Sequence, residues 1–129
     1  MRGAAVRFLT LRAYLQLLRF DFYLLRGDFA RLYAAVREFP LRSPLSQHDV
    51  SEQVCSAMDL AAIGYFKHVR CLQRSAATTC LLRKCGIPAQ MVLGAQLVPF
   101  QAHAWVEVEG RVVSDKPYTA ELYAILDRC

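Results

Sequence analysis

Apolar residues recur at steps of three and four from Val6 to Leu25, through Phe8, Leu11, Leu15, Leu18, Phe22 and Leu25. This spacing predicts a helix with one broad apolar face, with Arg7, Arg12, Arg19 and Arg26 around its other side. Docking on the rest of the fold is the common fate of such a face. Membrane-surface attachment is the sharper reading, because Arg joins Phe, Tyr and Leu in one amphipathic stretch. Asp28 is the expected N-cap of a second helix, Phe29 to Phe39, which Pro40 ends. The stretch Pro40-Leu41-Arg42-Ser43-Pro44 reads as the linker of the chain. Residues 1–45 are thus expected to form a helical docking region and 46–129 the core, within one compact domain.

Ser46-Gln47-His48-Asp49 has the Ser-x-x-acid form of a helix start, followed at helical spacing by Val50, Val54, Met58, Ala61 and Tyr65. A third helix to about Ile63 follows from it. A fourth runs from near Cys71 to Lys84, since Gly86 sits where a left-handed C-terminal cap belongs and Pro88 forbids continuation. Beyond Pro88 the pattern changes to strand-like runs, Ala89 to Ala95, Gln101 to Val108 and Arg111 to Ser114, separated by Gly94 to Phe100 and by Glu109-Gly110. The last two runs predict a hairpin. Ala120 to Leu126 is expected to close the chain as a helical turn or two. Helices first and an antiparallel sheet after them define an α+β class.

At 129 residues the chain is one domain's worth of sequence. With 55% hydrophobic and 21% charged residues, it is too apolar to stay disordered. The net charge of +5 is carried mostly by Arg, and so small an excess argues only weakly for nucleic acid, which is not expected as a partner. Arg7, Arg12, Arg19, Asp21 and Arg26 interrupt the apolar N-terminus, so neither a spanning helix nor a signal-peptide core is read there. Five cysteines at irregular spacing, with no cleavable signal ahead, read as reduced thiols in the cytoplasm. Cys80 and Cys85 are five apart and His48, His68 and His103 are scattered, a poor pattern for zinc; no metal or other cofactor is expected.

Chemistry enters at Cys71. A cysteine on the first turn of a helix has its thiolate stabilised by unpaired backbone N–H groups and by the helix dipole. Arg70 and Arg74 would add to this. Cys55, Cys80 and Cys85 fall inside or at the end of expected helices, and Cys129 lies last in the sequence, so all four read as small buried or incidental residues. Along Gln101 to Val108, alternation puts His103, Trp105 and Glu107 on one face and the apolar core residues on the other. If Val108-Glu109-Gly110 is a three-residue loop with Gly110 left-handed, Asp115 becomes the cross-strand neighbour of His103. A two-residue Glu109-Gly110 turn instead sets Asp115 opposite Ala104 and turns it away. The first register assembles the nucleophile, base and orienting acid of a Cys-His-Asp triad.

The run Cys71-Leu72-Gln73-Arg74-Ser75, the later Leu82-Arg83-Lys84-Cys85-Gly86-Ile87-Pro88-Ala89, and Pro99-Phe100-Gln101-Ala102-His103-Ala104-Trp105-Val106-Glu107-Val108-Glu109-Gly110 resemble the lasso-peptide leader peptidases, the transglutaminase-like B proteins of lasso-peptide biosynthesis. The resemblance extends over most of the chain from about Ala57. It implies a papain/transglutaminase-like fold whose Cys heads a helix packed on a sheet bearing the His and Asp, with Cys71, His103 and Asp115 as the catalytic residues. It also implies hydrolysis of the bond joining leader to core in a ribosomally made precursor, before a separate lasso cyclase closes the ring. Other members carry an N-terminal peptide-recognition domain, for which this chain is too short. It therefore resembles the stand-alone form that relies on a separate leader-recognition protein.

In such a reaction His103 takes the Cys71 proton, the thiolate attacks the scissile carbonyl, the imidazolium protonates the leaving amine, and Asp115 fixes the tautomer. The Cys71 backbone N–H is one oxyanion donor; the second is not fixed by sequence, with Gln73 as a candidate. A transglutaminase-type acyl transferase, in which an amine resolves the same thioester, is the competing enzyme. A non-catalytic partner- or membrane-binding adaptor on a protease-like fold is the competing non-enzyme.

Overall fold

The computed structural model describes residues 2–41, 48–97, 99–113 and 119–129. Its elements are α1 (Arg2–Leu25), α2 (Phe29–Glu38), α3 (His48–Ile63), α4 (Cys71–Lys84), β1 (Ala89–Leu97), β2 (Phe100–Val108), β3 (Arg111–Val112), α5 (Thr119–Leu122) and β4 (Ala124–Arg128). The strands form one sheet in the order β3-β2-β1-β4, every pairing antiparallel. The α+β class expected from the order of patterns is the class found.

α1 closes with paired bonds, Asp28 N–H to the Tyr23 carbonyl and Gly27 N–H to the Leu24 carbonyl, both 3.0 Å. They satisfy carbonyls the helix end would otherwise orphan. Asp28 then caps α2, its side chain accepting from the Arg31 N–H at 3.2 Å. α4 ends the same way: Ile87 N–H reaches the Leu82 carbonyl at 2.9 Å while Gly86 turns left-handed at φ 86°, a conformation a Cβ would oppose.

The core lies around α4. From Ser75 to Arg83 every residue of this helix is buried, and its small side chains Ser75, Ala76 and Ala77 let α1, α3 and the sheet approach. Met91 and Val106 of the sheet join Leu81, Leu82, Leu17, Phe20, Val54 and Met58 in the same core as Leu32 and Val36 of α2. The N-terminal helices therefore share one apolar interior with the rest of the described chain.

Two buried polar groups organise that interior. The Arg83 guanidinium donates to the carbonyls of Ala89 (2.9 Å), Val36, Phe39 (3.5 Å) and Cys129 (2.8 Å), tying together β1, the end of α2 and the residue after β4. Asp21 on α1 accepts from the Tyr65 hydroxyl at 2.7 Å and pairs with Lys67 at 2.8 Å. Burial pushes its carboxyl up, but these bonds and the nearby positive charge of Lys67 and Arg70 outweigh it and hold the group below its usual range.

Three expectations are corrected. α1 forms, but Phe8, Leu11, Leu15, Leu18, Phe22 and Leu25 point to solvent, and Ala13, Leu17 and Phe20 face the core. Both sides of this helix are apolar, and periodicity alone cannot say which is covered. Gly94 lies within β1, not in a connection, and β1 and β2 form a hairpin in which Leu97 pairs with Phe100. Past the short α5, Ala124–Arg128 is a strand on the free edge of β1, continued by Met91–Cys129 backbone bonds of 2.8 and 3.1 Å. A run of Ala, Ile and Leu without alternation has no intrinsic preference strong enough to oppose that edge.

Replacing Arg83 by Met leaves several buried carbonyls without a donor, and unfolding by urea should show a loss of roughly 2–4 kcal/mol. A loss below about 0.5 kcal/mol would contradict the role given to the guanidinium. The Asp21 carboxyl, being lowered, contributes stability above the ordinary carboxylate range, and that contribution disappears as pH falls through its lowered value. The urea midpoint of the wild type should therefore fall more between about pH 6 and pH 3 than that of Asp21→Asn. Parallel curves would contradict the ion pair's role.

Candidate active site

α4 begins at Cys71 because Arg70 holds extended backbone (φ −78°, ψ 152°) and donates its N–H to the Gln73 side-chain carbonyl at 3.4 Å. The amide of Gln73, fully buried, donates in turn to the Leu17 carbonyl of α1 at 2.8 Å. Gln73 thus sets the start of α4 against α1. With its amide committed inward, it is not the free oxyanion donor that sequence suggested.

Cys71 is exposed on the first turn, where the leading N–H groups of a helix lack intrahelical acceptors. All five cysteines are free, but Cys80 and Cys129 are buried and Cys55 and Cys85 half-buried. Burial pushes the thiols of Cys55 and Cys129 up, and that of Cys80 to about 12, so these sulfurs stay protonated and poorly nucleophilic at neutral pH. The Cys55 thiol donates to the Val113 carbonyl at 3.6 Å. Of the two arginines flanking Cys71, Arg74 reaches across to Asp59 of α3, which cancels part of its field at the thiol.

His103 sits in β2 opposite Gly94, half-buried. Its ring stacks beside Trp105, with centroids 6.0 Å apart and planes at 29°, and tilts against Tyr123 at 5.3 Å. Trp105 is fully buried, and its indole N–H donates to Glu107 at 2.9 Å. Glu107, also buried, is neutralised by Arg128 of β4. The polar face of β2 is therefore sealed, with the imidazole at its margin and an indole held in one orientation next to it. The opposite face, through Val106, is the one packed into the helical core.

Gly94 makes this packing possible. A Cβ there would lie 2.7 Å from the Trp105 ring and 2.8 Å from the Tyr123 Cβ, closer than such atoms approach. A bulge in the β1–β4 pairing falls between Leu93 and Gly94, where the partners step from Asp127 to Ile125. Tyr123, Gly94 and Arg128 were not singled out by sequence reasoning. The glycine interrupting a strand-like run, a mark of close backbone approach, was the one available signal.

Asp115 lies outside the described residues, which stop at Val113 and resume at Thr119. The hairpin register expected to set it beside His103 is not the one found. Glu107 pairs with Val112 and Val108 with Arg111, across a two-residue Glu109-Gly110 turn in which both residues have positive φ, 52° and 79°. Glu seldom takes that conformation, which is why the sequence favoured a loop with glycine alone left-handed; the twist of the strands favours the mirror-image turn instead. The paired ladder ends at Val112, so its register does not assign Asp115 a neighbour.

α4, which starts with Cys71, packs on β1 and β2 from the Val106 side, whereas His103 lies on the other face of β2, against Trp105 and Tyr123. No hydrogen bond joins the thiol to the imidazole among the described residues. A cavity of about 500 Å3 opens between α3 and the β2–β3 hairpin, with Glu52, Cys55, Asp59, Pro88, Arg111 and Val113 in its wall. Neither Cys71 nor His103 lines it, but the Asp59–Arg74 pair links that wall to the first turns of α4. No helix among the described residues is long and apolar enough to cross a membrane.

Residues 14–127 match the transglutaminase-like superfamily, and the chain belongs to it. It is also similar to the microcin J25-processing protein McjB of Escherichia coli, with 29% identity over 90 residues. That match covers 70% of this chain and 43% of the relative, so less than half of the latter is represented. No solved structure matches the chain.

Gly94→Ala should displace the indole, lower stability by about 1–3 kcal/mol and move the emission of Trp105, the single tryptophan. Unchanged emission and stability would show that the close approach is not needed.

Proposed function

We propose that this protein is a cysteine peptidase that removes the leader from a ribosomally made lasso-peptide precursor, with Cys71 as nucleophile, His103 as general base and acid, and Asp115 as the group orienting His103. The observation that carries the reading is the exposure of Cys71 alone among the five thiols, on the first turn of a helix in a transglutaminase-like chain. The name of the microcin J25-processing relative supports precursor maturation as the setting.

In this reaction His103 accepts the Cys71 proton and the thiolate sulfur adds to the scissile carbonyl carbon. The resulting oxyanion is met by backbone N–H groups at the start of α4. Collapse expels the amine of the core peptide, protonated by the imidazolium, and leaves the leader as a thioester on Cys71. Water, deprotonated by His103, then hydrolyses the thioester to a free leader carboxylate and regenerates the thiol. A thiol–imidazole bond that is long without substrate and tightens with it is ordinary for such sites. The sealed Trp105–Glu107 face would keep one side of the imidazole dry and fixed. The partners of this reading are the precursor's leader, a separate leader-recognition protein and the lasso cyclase that takes the freed core, all in the cytoplasm.

The test combines the protein with the short precursor and the recognition protein expected from the flanking reading frames, and follows leader release by mass spectrometry. Cys71→Ala and His103→Ala should each lower turnover by about 10³-fold or more while leaving the fold intact, and Cys85→Ala should be nearly silent. Asp115→Asn should spare substrate binding and lower turnover by roughly 10²-fold or more. Leader release by Cys71→Ala would overturn the assignment. An amine-adducted leader in place of the free acid would assign the chain to acyl transfer instead.

A further inference from the structure

α1 is apolar on the side it turns to water. Between Arg7 and Leu25 every exposed position except Arg7 is apolar: Phe8, Leu11, Leu15, Leu18, Phe22 and Leu25, from 37% exposed at Leu18 to 72% at Leu25. The helix's one acidic side chain, Asp21, is turned inward to Tyr65 and Lys67. Isolated exposed apolar residues need no explanation, but six in one unbroken seam, rimmed by charge, mark an interaction surface.

The spacing of that seam is 3, 4, 3, 4, 3, a strict seven-residue repeat with Phe8, Leu15 and Phe22 in one register and Leu11, Leu18 and Leu25 in the other. At 1.5 Å per residue it runs for about 26 Å, the length that a partner helix of roughly three heptads would cover. Its width is two residues per heptad, the geometry of a helix-on-helix seam, whereas a helix lying in a lipid surface presents a broader apolar sector. Arg12, Arg19 and Arg26 follow the seam at the flanking position of each heptad. The guanidinium of Arg12 lies 4.3 Å from the centre of the Phe8 ring and that of Arg26 4.5 Å from Phe22, so positive charge lies directly on the seam's edge.

This charge selects the occupant. A second copy packed antiparallel would set these arginines against one another. Packed parallel, it would set Arg12 against Arg7 and Arg19 against Tyr14, while Asp21 is already held inside the fold. We propose that the outer face of α1 binds an amphipathic helix of another protein, whose leucine-type seam is flanked by Glu or Asp. Burial of the six apolar side chains supplies the attraction, and the Arg–carboxylate pairs set partner and register. The proposal goes beyond the peptidase reading and does not depend on it.

The test uses the full chain and two labelled 21-residue peptides, each with leucine at both seam positions. One is flanked by Glu, whose like charges keep it from pairing with itself, and the other by Lys. Fluorescence anisotropy should show the Glu peptide binding at least tenfold tighter than the Lys peptide, with affinity falling as salt rises. Leu15→Asp combined with Leu18→Asp should weaken binding at least tenfold without loss of helix signal, both side chains being exposed. Arg12→Glu with Arg26→Glu should reverse the preference between peptides. Equal binding of the two peptides, or binding indifferent to the Leu15 and Leu18 changes, overturns the proposal. So does a failure to bind either peptide while the chain binds phosphatidylglycerol vesicles or forms a dimer through the same residues.

Discussion

The buried guanidinium of Arg83 is the constraint on which the rest of the architecture depends. One side chain near the end of α4 collects carbonyls from α2, from the start of β1 and from the residue after β4. A cation in an apolar interior is tolerable only when its donors are met, and burial here pulls its pKa down, the direction expected of a charge taken out of water. Because the Cys129 carbonyl also accepts from Met91 N–H, the same node aligns β4 on the edge of β1. Fourteen residues span α4, and Gln73 anchors its other end to Leu17 of α1. Held at both ends, the helix delivers Cys71 to a fixed place at the surface.

The sheet acts as a two-sided plate. Its Val106 face closes the helical core, and its Trp105 face is closed by Tyr123 and by the Glu107–Arg128 pair. Such burial of a carboxylate is tolerated because the indole N–H and the guanidinium both serve it. The consequence for His103 is an imidazole with one wall of fixed aromatic rings, the sort of preorganised surround that proton transfer at a set geometry requires. The absence of a side chain at Gly94 is what lets those rings meet.

Much of this was legible in the sequence, for identifiable reasons. Asp28, Gly86 and Pro88 fix helix boundaries locally, through backbone donors and forbidden φ values, so α2 and α4 fall where the residues put them. His103 on a strand follows from the boundary at Pro88, whereas the start of α4 at Cys71 is set by the Arg70–Gln73 bond. What failed depended on tertiary context. Periodicity found α1 but could not choose between two apolar faces. Nothing local marks Ala124–Arg128 as a strand, since the unpaired edge of β1 decides it. Nothing local marks Arg83 as a buried hydrogen-bond donor to four carbonyls, and the Glu109-Gly110 turn adopts a conformation that Glu disfavours. The loss of that register removes the geometric derivation of Asp115, and leaves its role resting on the family resemblance.

The central claim is that Cys71 and His103 work as one unit. The measurement closest to it is the alkylation rate of each cysteine by iodoacetamide at neutral pH, resolved by peptide mass spectrometry in the native wild type and in His103→Ala. The account predicts that Cys71 is modified first in the wild type, and at least tenfold more slowly once the imidazole is removed. A Cys71 rate unchanged in His103→Ala, or a wild type in which Cys55 or Cys85 reacts ahead of Cys71, would contradict it.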